Sequence, residues 1–197
     1  MSPLTPPADG LPPDLIDRLV ARAASEGLLD VAYARVDSPL GPLLAARTPR
    51  GLATLSYADF RGGVDAVVED LATRLSPRIL EAPGRLDDVR RQLDEYFAGR
   101  RDRFDMPLDL VLVAGFRRRV LEATAGIPFG ETRSYAEVAT AAGNAKAVRA
   151  AGTALGHNPI PIVVPCHRVL RSGGALGNYT GGVEKKEALL RIEGVIL

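Results

Sequence analysis

Three prolines, at positions 159, 161 and 165, enclose the apolar run Ile162-Val163-Val164 and lead straight into Cys166-His167. Each proline lacks a backbone donor and biases its predecessor toward extended geometry, so the segment cannot form a helix interior. The pattern predicts a short, buried, extended segment ending on the cysteine. Cys166 is the only cysteine of 197 residues, and one of the two histidines is its immediate neighbour. By residue type a free cysteine is a small buried hydrophobe. The adjoining His167 and the stiff approach support a second reading, a thiol held in place for chemistry.

A single cysteine forms no intramolecular disulfide, and a reducing compartment keeps its thiol available. With one cysteine and two histidines, His157 and His167, the chain cannot assemble a four-ligand Cys/His zinc site, and neither metal nor cofactor is expected. No apolar run approaches the ~18 residues of a membrane-spanning helix, and Met1 to Pro7 lacks the charged and apolar regions of a signal peptide. The expectation is a soluble, cytoplasmic monomer. Residues 1–100 carry 12 Lys+Arg against 15 Asp+Glu, whereas residues 101–197 carry 13 against 9. The half with Cys166 is therefore the basic one, which suits a polyanionic partner as well as ordinary surface solvation.

Along the chain, residues 1–13 form a proline-rich arm, and 14–24 have helical apolar spacing. Segments 31–36, 42–47 and 51–57 are short and separated by Ser38-Pro39-Leu40-Gly41 and Pro49-Arg50-Gly51, which argues an antiparallel meander. Helices are expected at about 63–75 and 86–98, the second opening on Asp87-Asp88 and closing at Gly99. Residues 100–109 read as a linker. The expected units are an arm and helix over 1–30, a small α/β domain over 31–109, and a mostly helical domain over 110–197.

In the last unit, 113–125 is helical up to Gly126 and Pro128, and Gly130 to Arg133 make a turn. Ser134 and Glu137 have the spacing of a capping box for a helix from Tyr135 to Ala142. A tight turn at Gly143-Asn144 joins it to a second helix, 145–156, as in a helix-turn-helix or an ordinary helical hairpin. The second helix is mostly alanine and glycine, with Arg149 as the one long cation at its middle. It has too few polar side chains to read base edges in a major groove. It could instead lie in a minor groove with Arg149 inserted into the stack, or simply pack against another helix.

From Phe116 to Gly194 these pieces resemble the O6-alkylguanine-DNA alkyltransferases. The resemblance rests on Ile127-Pro128-Phe129-Gly130-Glu131-Thr132, Ser134-Tyr135, the Arg149 helix, Asn158-Pro159, Pro165-Cys166-His167-Arg168-Val169, Gly177-Asn178-Tyr179-Thr180-Gly181-Gly182, and Lys186 through Glu193. Residues 31–109 fit more loosely, through Ser38 to Leu43 and Glu95 to Gly99. The resemblance implies an α+β protein, with a ribonuclease-H-like N-terminal domain and a winged-helix-like DNA-binding domain.

It also implies an activity: irreversible transfer of an alkyl group from O6-alkylguanine in duplex DNA, with O4-alkylthymine a second candidate, onto Cys166. One molecule would serve one lesion, after the nucleotide flips out through the minor groove. The implied catalytic set is Cys166, His167, Glu193, Tyr135 and Asn158. Glu193 would orient His167, which relays the thiol proton through a water, and Tyr135 would protonate the leaving guanine. The implied DNA contacts are Arg149, Ser134, Thr132, Lys146, Ala147 and Ala150, and the base pocket is Val169, Tyr179, Thr180, Gly177 and Asn178.

Read from the residues alone, Glu193 could equally be a solvated helix end and Tyr135 a packing residue. The chain departs from the family pattern at Arg117 to Leu121, where Phe-Gln and Val-Trp are usual, and at Thr180, where serine is common. A cysteine hydrolase would use the same residue types, but adjacent Cys-His suits direct base pairing poorly. In a non-catalytic sensor of alkylated DNA the family pattern has tryptophan in place of Cys166.

Overall fold

The computed structural model describes residues 13–59 and 62–196. Alternation of small and branched side chains builds the expected meander: β1 (Val31–Val36), β2 (Leu43–Thr48) and β3 (Gly51–Tyr57) pair antiparallel. Side chains of successive residues leave opposite faces of a sheet. Val31 and Ala46 thus face α2 (Gly63–Arg74) through Leu71, while Ala34, Val36, Leu43, Ala45, Leu55 and Tyr57 join the main core with Val89, Leu93 and Tyr96 of α3 (Asp87–Phe97). The helix α1 (Pro13–Ser25) reaches this layer with Val20, against Ala32 and Ala82. The proline arm up to residue 12 lies outside the described residues.

One strand had no visible signal. β4 (Ile79–Glu81) pairs parallel to β1, giving the order β3-β2-β1-β4. Three residues between Pro77 and Pro83 are too few to display an alternation.

As an edge strand, β3 has donors and acceptors to satisfy, and they are met from outside the sheet. Leu52 N donates to Pro107 O at 2.9 Å, Asp109 N donates to Leu52 O at 2.8 Å, and Leu55 N donates to Pro159 O at 2.8 Å. The stretch expected as a linker is therefore bound at its end. Met106, Asp109 and Leu110 are buried, and the Asp109 carboxylate accepts from Thr48 Oγ1 at 2.6 Å and Arg50 Nε at 3.1 Å. One hydrophobic cluster runs from the sheet through these residues into the helical half.

That half contains α4 (Gly115–Ala125), α5 (Tyr135–Ala141), α6 (Val148–Gly156) and α7 (Val183–Ile192). Both arms of the capping box form: Ser134 Oγ accepts from Glu137 N at 3.2 Å, and Ser134 N donates to Glu137 Oε2 at 2.7 Å. The second helix begins at Val148, not Ala145. Asn144 intervenes, accepting from Lys146 N on its side chain and from Ala147 N on its carbonyl, a local alternative that delays the helix. A two-residue parallel pair, β5 (Arg133–Ser134) with β6 (Val169–Leu170), fastens the start of α5 to the chain just after the cysteine.

The segment before Cys166 is buried, as its composition demands, but it is turned rather than extended. Ile162 has φ 74°, Val164 N donates to Ile160 O at 2.9 Å, and Cys166 to Arg168 form a 3-10 turn. A buried extended segment with three prolines would leave its remaining donors without a ladder, and coiling back on itself satisfies them. Ile162 is the one non-glycine with positive φ among the described residues, a conformation that costs about 1–3 kcal/mol.

Gly51 tests how rigidly the sheet edge is covered. Its φ is 144°, and a Cβ there would lie 2.2 Å from Pro107 O. Gly51→Ala should destabilise the fold by about 2–3 kcal/mol, lowering Tm by roughly 5–10 °C in a calorimetric scan.

Candidate active site

Cys166 is 4% exposed and opens its 3-10 turn. Asn158, just beyond α6, holds it. The Asn158 amide donates to Val164 O at 2.8 Å and to Cys166 Sγ at 3.1 Å, and its Oδ1 accepts from Ile160 N at 3.0 Å. One buried side chain thus joins the end of the helix pair to both sides of the turned segment. Burial pushes the thiol up to about 11, against the opposing effects of the Asn158 bond and the Lys186 cation. At neutral pH the sulfur is protonated, so nucleophilic use requires a base.

His167 is fully buried, and its Nε2 lies 2.8 Å from Glu193 Oε1. Burial alone would raise the Glu193 carboxyl, but hydrogen bonds from His167 and Arg168 overcome it and bring the group to about 2. An ionised carboxylate only accepts, so the network assigns the imidazole proton to Nε2 and a lone pair to Nδ1. Nδ1 is buried and has no hydrogen-bonding partner among the described residues. Burial lowers the imidazole below its ordinary 6.5, despite the pull of Glu193. The arrangement is that of a neutral base with one nitrogen anchored and the other open.

Two partners of Glu193 lay outside the expected set. Arg168 donates through Nε to Oε2 at 2.8 Å and through Nη2 to Oε1 at 2.9 Å, and Tyr96 of α3 donates to Oε1 at 2.7 Å. Arg168 also reaches the Ile127 carbonyl. A third unexpected residue, Lys186, is fully buried and donates to Val169 O at 2.6 Å and to the Leu176 carbonyl. Burial brings its ammonium down to about 8. Lys186 had a detectable signal: with Leu189, Leu190 and Glu193 it follows the three-to-four spacing of a buried helix face. The Val169 carbonyl, expected to face a base, already accepts from Lys186 and keeps a second lone pair.

The expected surface residues separate into groups. Tyr135 and Arg149 line one groove of about 630 Å³ with Gly152, Arg171 and Asn178. Tyr135 rests on α6 at Gly152, where an added Cβ would stand 3.7 Å from its ring, and its hydroxyl lies over Gly177, where an added Cβ would stand 3.0 Å away. Burial, then the nearby Cys166, raises its phenol. Arg149, Lys146 and Ala150 are exposed and Ala147 is half-buried, while Thr132 and Ser134 are half-buried at the start of α5. Thr180 turns away from this groove. It donates to Gly156 O at 3.3 Å and lines a separate cavity of about 390 Å³ between β3, α2 and the His157–Pro161 segment. Tyr179 lies between the two, its ring perpendicular to His167 at 6.4 Å and its hydroxyl 3.1 Å from that of Tyr57.

No helix among the described residues is long and apolar enough to cross a membrane, and they contain no cluster of potential metal ligands. Comparison with known proteins matches two family models in order: the ribonuclease-like domain of 6-O-methylguanine DNA methyltransferase over residues 31–110, and its DNA binding domain over 115–195. The methylated-DNA-protein-cysteine methyltransferase of Mycobacterium tuberculosis is 42% identical over 163 residues, covering 83% of this chain and 92% of its own. Among solved structures, the M. tuberculosis O6-methylguanine methyltransferase superposes with a TM-score of 0.72 at 40% identity, covering 83% of this chain and 92% of that one. The M. tuberculosis OGT in complex with DNA gives 0.71 at 41% identity, covering 82% and 92%. With both domains matched and such identity over most of its length, the chain belongs to the methylated-DNA-protein-cysteine methyltransferase family.

Proposed function

We propose that the protein repairs DNA by direct reversal, moving the alkyl group of O6-alkylguanine in duplex DNA onto Cys166 in a single turnover. The observation that carries this reading is the buried neutral thiol, held by Asn158, beside a histidine whose one nitrogen is bonded to Glu193 and whose other is open. Through a bridging water, His167 Nδ1 takes the Cys166 proton. The thiolate attacks the alkyl carbon, the S–C bond forms as the C–O6 bond breaks, and the electron pair leaves with the guanine. Tyr135 gives the guanine its proton and is restored by the one that left Cys166. The net change is one alkyl group to sulfur and one proton to the base.

The base must leave the stack to reach the sulfur. Arg149 is exposed, and its guanidinium has no hydrogen bond or ion pair among the described residues, so it is free to enter the duplex and stack where the nucleotide was. Thr132, Ser134, Lys146, Ala147 and Ala150 lie against the DNA around it, and Val169, Gly177, Asn178 and Tyr179 form the base pocket, without Thr180, whose hydroxyl is turned to Gly156 O. O4-alkylthymine fits the same chemistry as a second substrate. All of these groups come from one chain, so the protein acts as a monomer, in the cytoplasm, where its thiol stays reduced.

Intact mass after incubation with excess O6-methylguanine duplex should rise by one methyl group per chain and stop; continued turnover would overturn the scheme. Loss of a general base costs about 10²–10⁴-fold, so His167→Ala should slow transfer by at least about a hundredfold while duplex Kd, set largely by phosphate contacts, changes by no more than about twofold. Because His167 titrates below 6.5 and the thiol near 11, the wild-type transfer rate should fall as His167 protonates below 6.5 and, above that, stay level until the buried Lys186 loses its charge near 8. Arg149→Ala should impair repair of duplex DNA at least about tenfold more than reaction with free O6-benzylguanine, which needs no unstacking. Equal losses with the two substrates would remove Arg149 from the flipping step.

A further inference from the structure

The loop that carries Tyr179 is held from the other half of the molecule. Tyr57, the last residue of β3, is 1% exposed and sits 122 positions away in sequence, yet its hydroxyl lies 3.1 Å from that of Tyr179. The two rings meet edge to face with centroids 6.2 Å apart. Gly181 lies flat on the Tyr57 ring, where an added Cβ would come within 2.4 Å of it. On the same ring, Lys185 Nζ stands 4.2 Å from the centroid while donating to both carboxylate oxygens of Asp59 at 2.9 Å. The same strand also binds the cysteine segment, through Leu55 N to Pro159 O at 2.8 Å.

An isolated loop spanning Gly177 to Gly182 has little stiffness of its own, because three of its six residues are glycine and two of these, Gly177 and Gly182, have positive φ. Its rigidity must come from contacts. The Tyr179 carbonyl accepts from Gly182 N within the loop, and among the described residues the one hydrogen bond of its side chain is the hydroxyl pair with Tyr57. Nothing in the transfer chemistry uses Tyr57, whose phenol is buried and pushed well above its ordinary range by that burial.

We infer that Tyr57 is a positioning residue that latches Tyr179 as the pocket wall and thereby sets the size of alkyl group the site accepts. The inference rests on the alkyl-transfer reading and on Tyr179 as pocket wall. With the hydroxyl pair intact the ring is fixed, and a small group is favoured. With it broken, the glycine-rich loop yields and larger groups enter.

Tyr57→Phe removes one oxygen and keeps the ring beneath Gly181. A single hydrogen bond contributes a few-fold factor, so the ratio of transfer rates for O6-benzylguanine and O6-methylguanine in the same duplex should rise about three- to tenfold. Hydrogen exchange of the amides of residues 177–182 should accelerate by a similar factor, with Tm nearly unchanged. A purely structural role would lower both transfer rates together and leave the ratio constant, and that result overturns the inference. The exchange measurement needs no substrate: if wild-type protein transfers no alkyl group, the functional reading fails, while unchanged exchange in Tyr57→Phe refutes the latch on its own. Should Tyr57→Phe not fold, Asp59→Asn, which loosens Lys185 over the same ring, must accelerate exchange of the loop for the latch to stand.

Discussion

A single buried carboxylate organises the centre of this protein. Glu193, at the end of the last helix, accepts from Tyr96 of the N-terminal half and from His167 and Arg168 of the cysteine turn. An isolated carboxylate would not survive ionised in such surroundings. Here one guanidinium matches its charge with two hydrogen bonds, and two further donors, the Tyr96 hydroxyl and His167 Nε2, crowd its oxygens. Removing one partner from a buried pair of this kind costs about 3–5 kcal/mol, because the other charge is left behind. A change at Glu193 therefore disturbs the packing of both halves as well as the anchoring of His167. Burial first, and then the nearby charges of Arg168 and Lys186, keep His167 from being driven to its protonated form by a carboxylate 2.8 Å away.

Much of this was legible in the residues, and the missing parts share a cause. The meander, the capping box at Ser134 and the last helix follow from local spacing, because a strand's alternation and a helix's caps are written within a few positions. Cys166 and His167 stand out from the residues themselves, whereas Glu193 joins them only through resemblance to a family; spacing alone left Glu193 as readily a solvated helix end. Arg168 stood in the quoted motif but was given no role, since a charged residue is usually exposed and its two carboxylate contacts come from 25 positions away. Tyr96 is 97 positions from its partner. Nothing nearby in the chain announces either contact.

The errors of conformation are similar. Prolines forbid helix but do not choose between extended chain and turn, and that choice was made by unsatisfied donors around Asn158. Residues 100–109 look like a connector because they are polar and carry Pro107. Their end nevertheless closes the open side of β3, a demand created by the sheet and invisible within the stretch itself.

The distribution of these contacts along the chain has a kinetic consequence. Pairings of high sequence separation form late, since loop closure must precede their reward, and a growing chain folds its N-terminal units first. Tyr96 and Tyr57 are thus in place long before Glu193 and Tyr179 have been synthesised. The cysteine turn can be born and coil around Asn158, but His167 has no anchor until the final helix docks on a layer folded earlier. The hydroxyl partners of Tyr57 and Tyr96 both follow Cys166 in the chain, so until synthesis has passed Glu193 the imidazole beside Cys166 lacks its carboxylate.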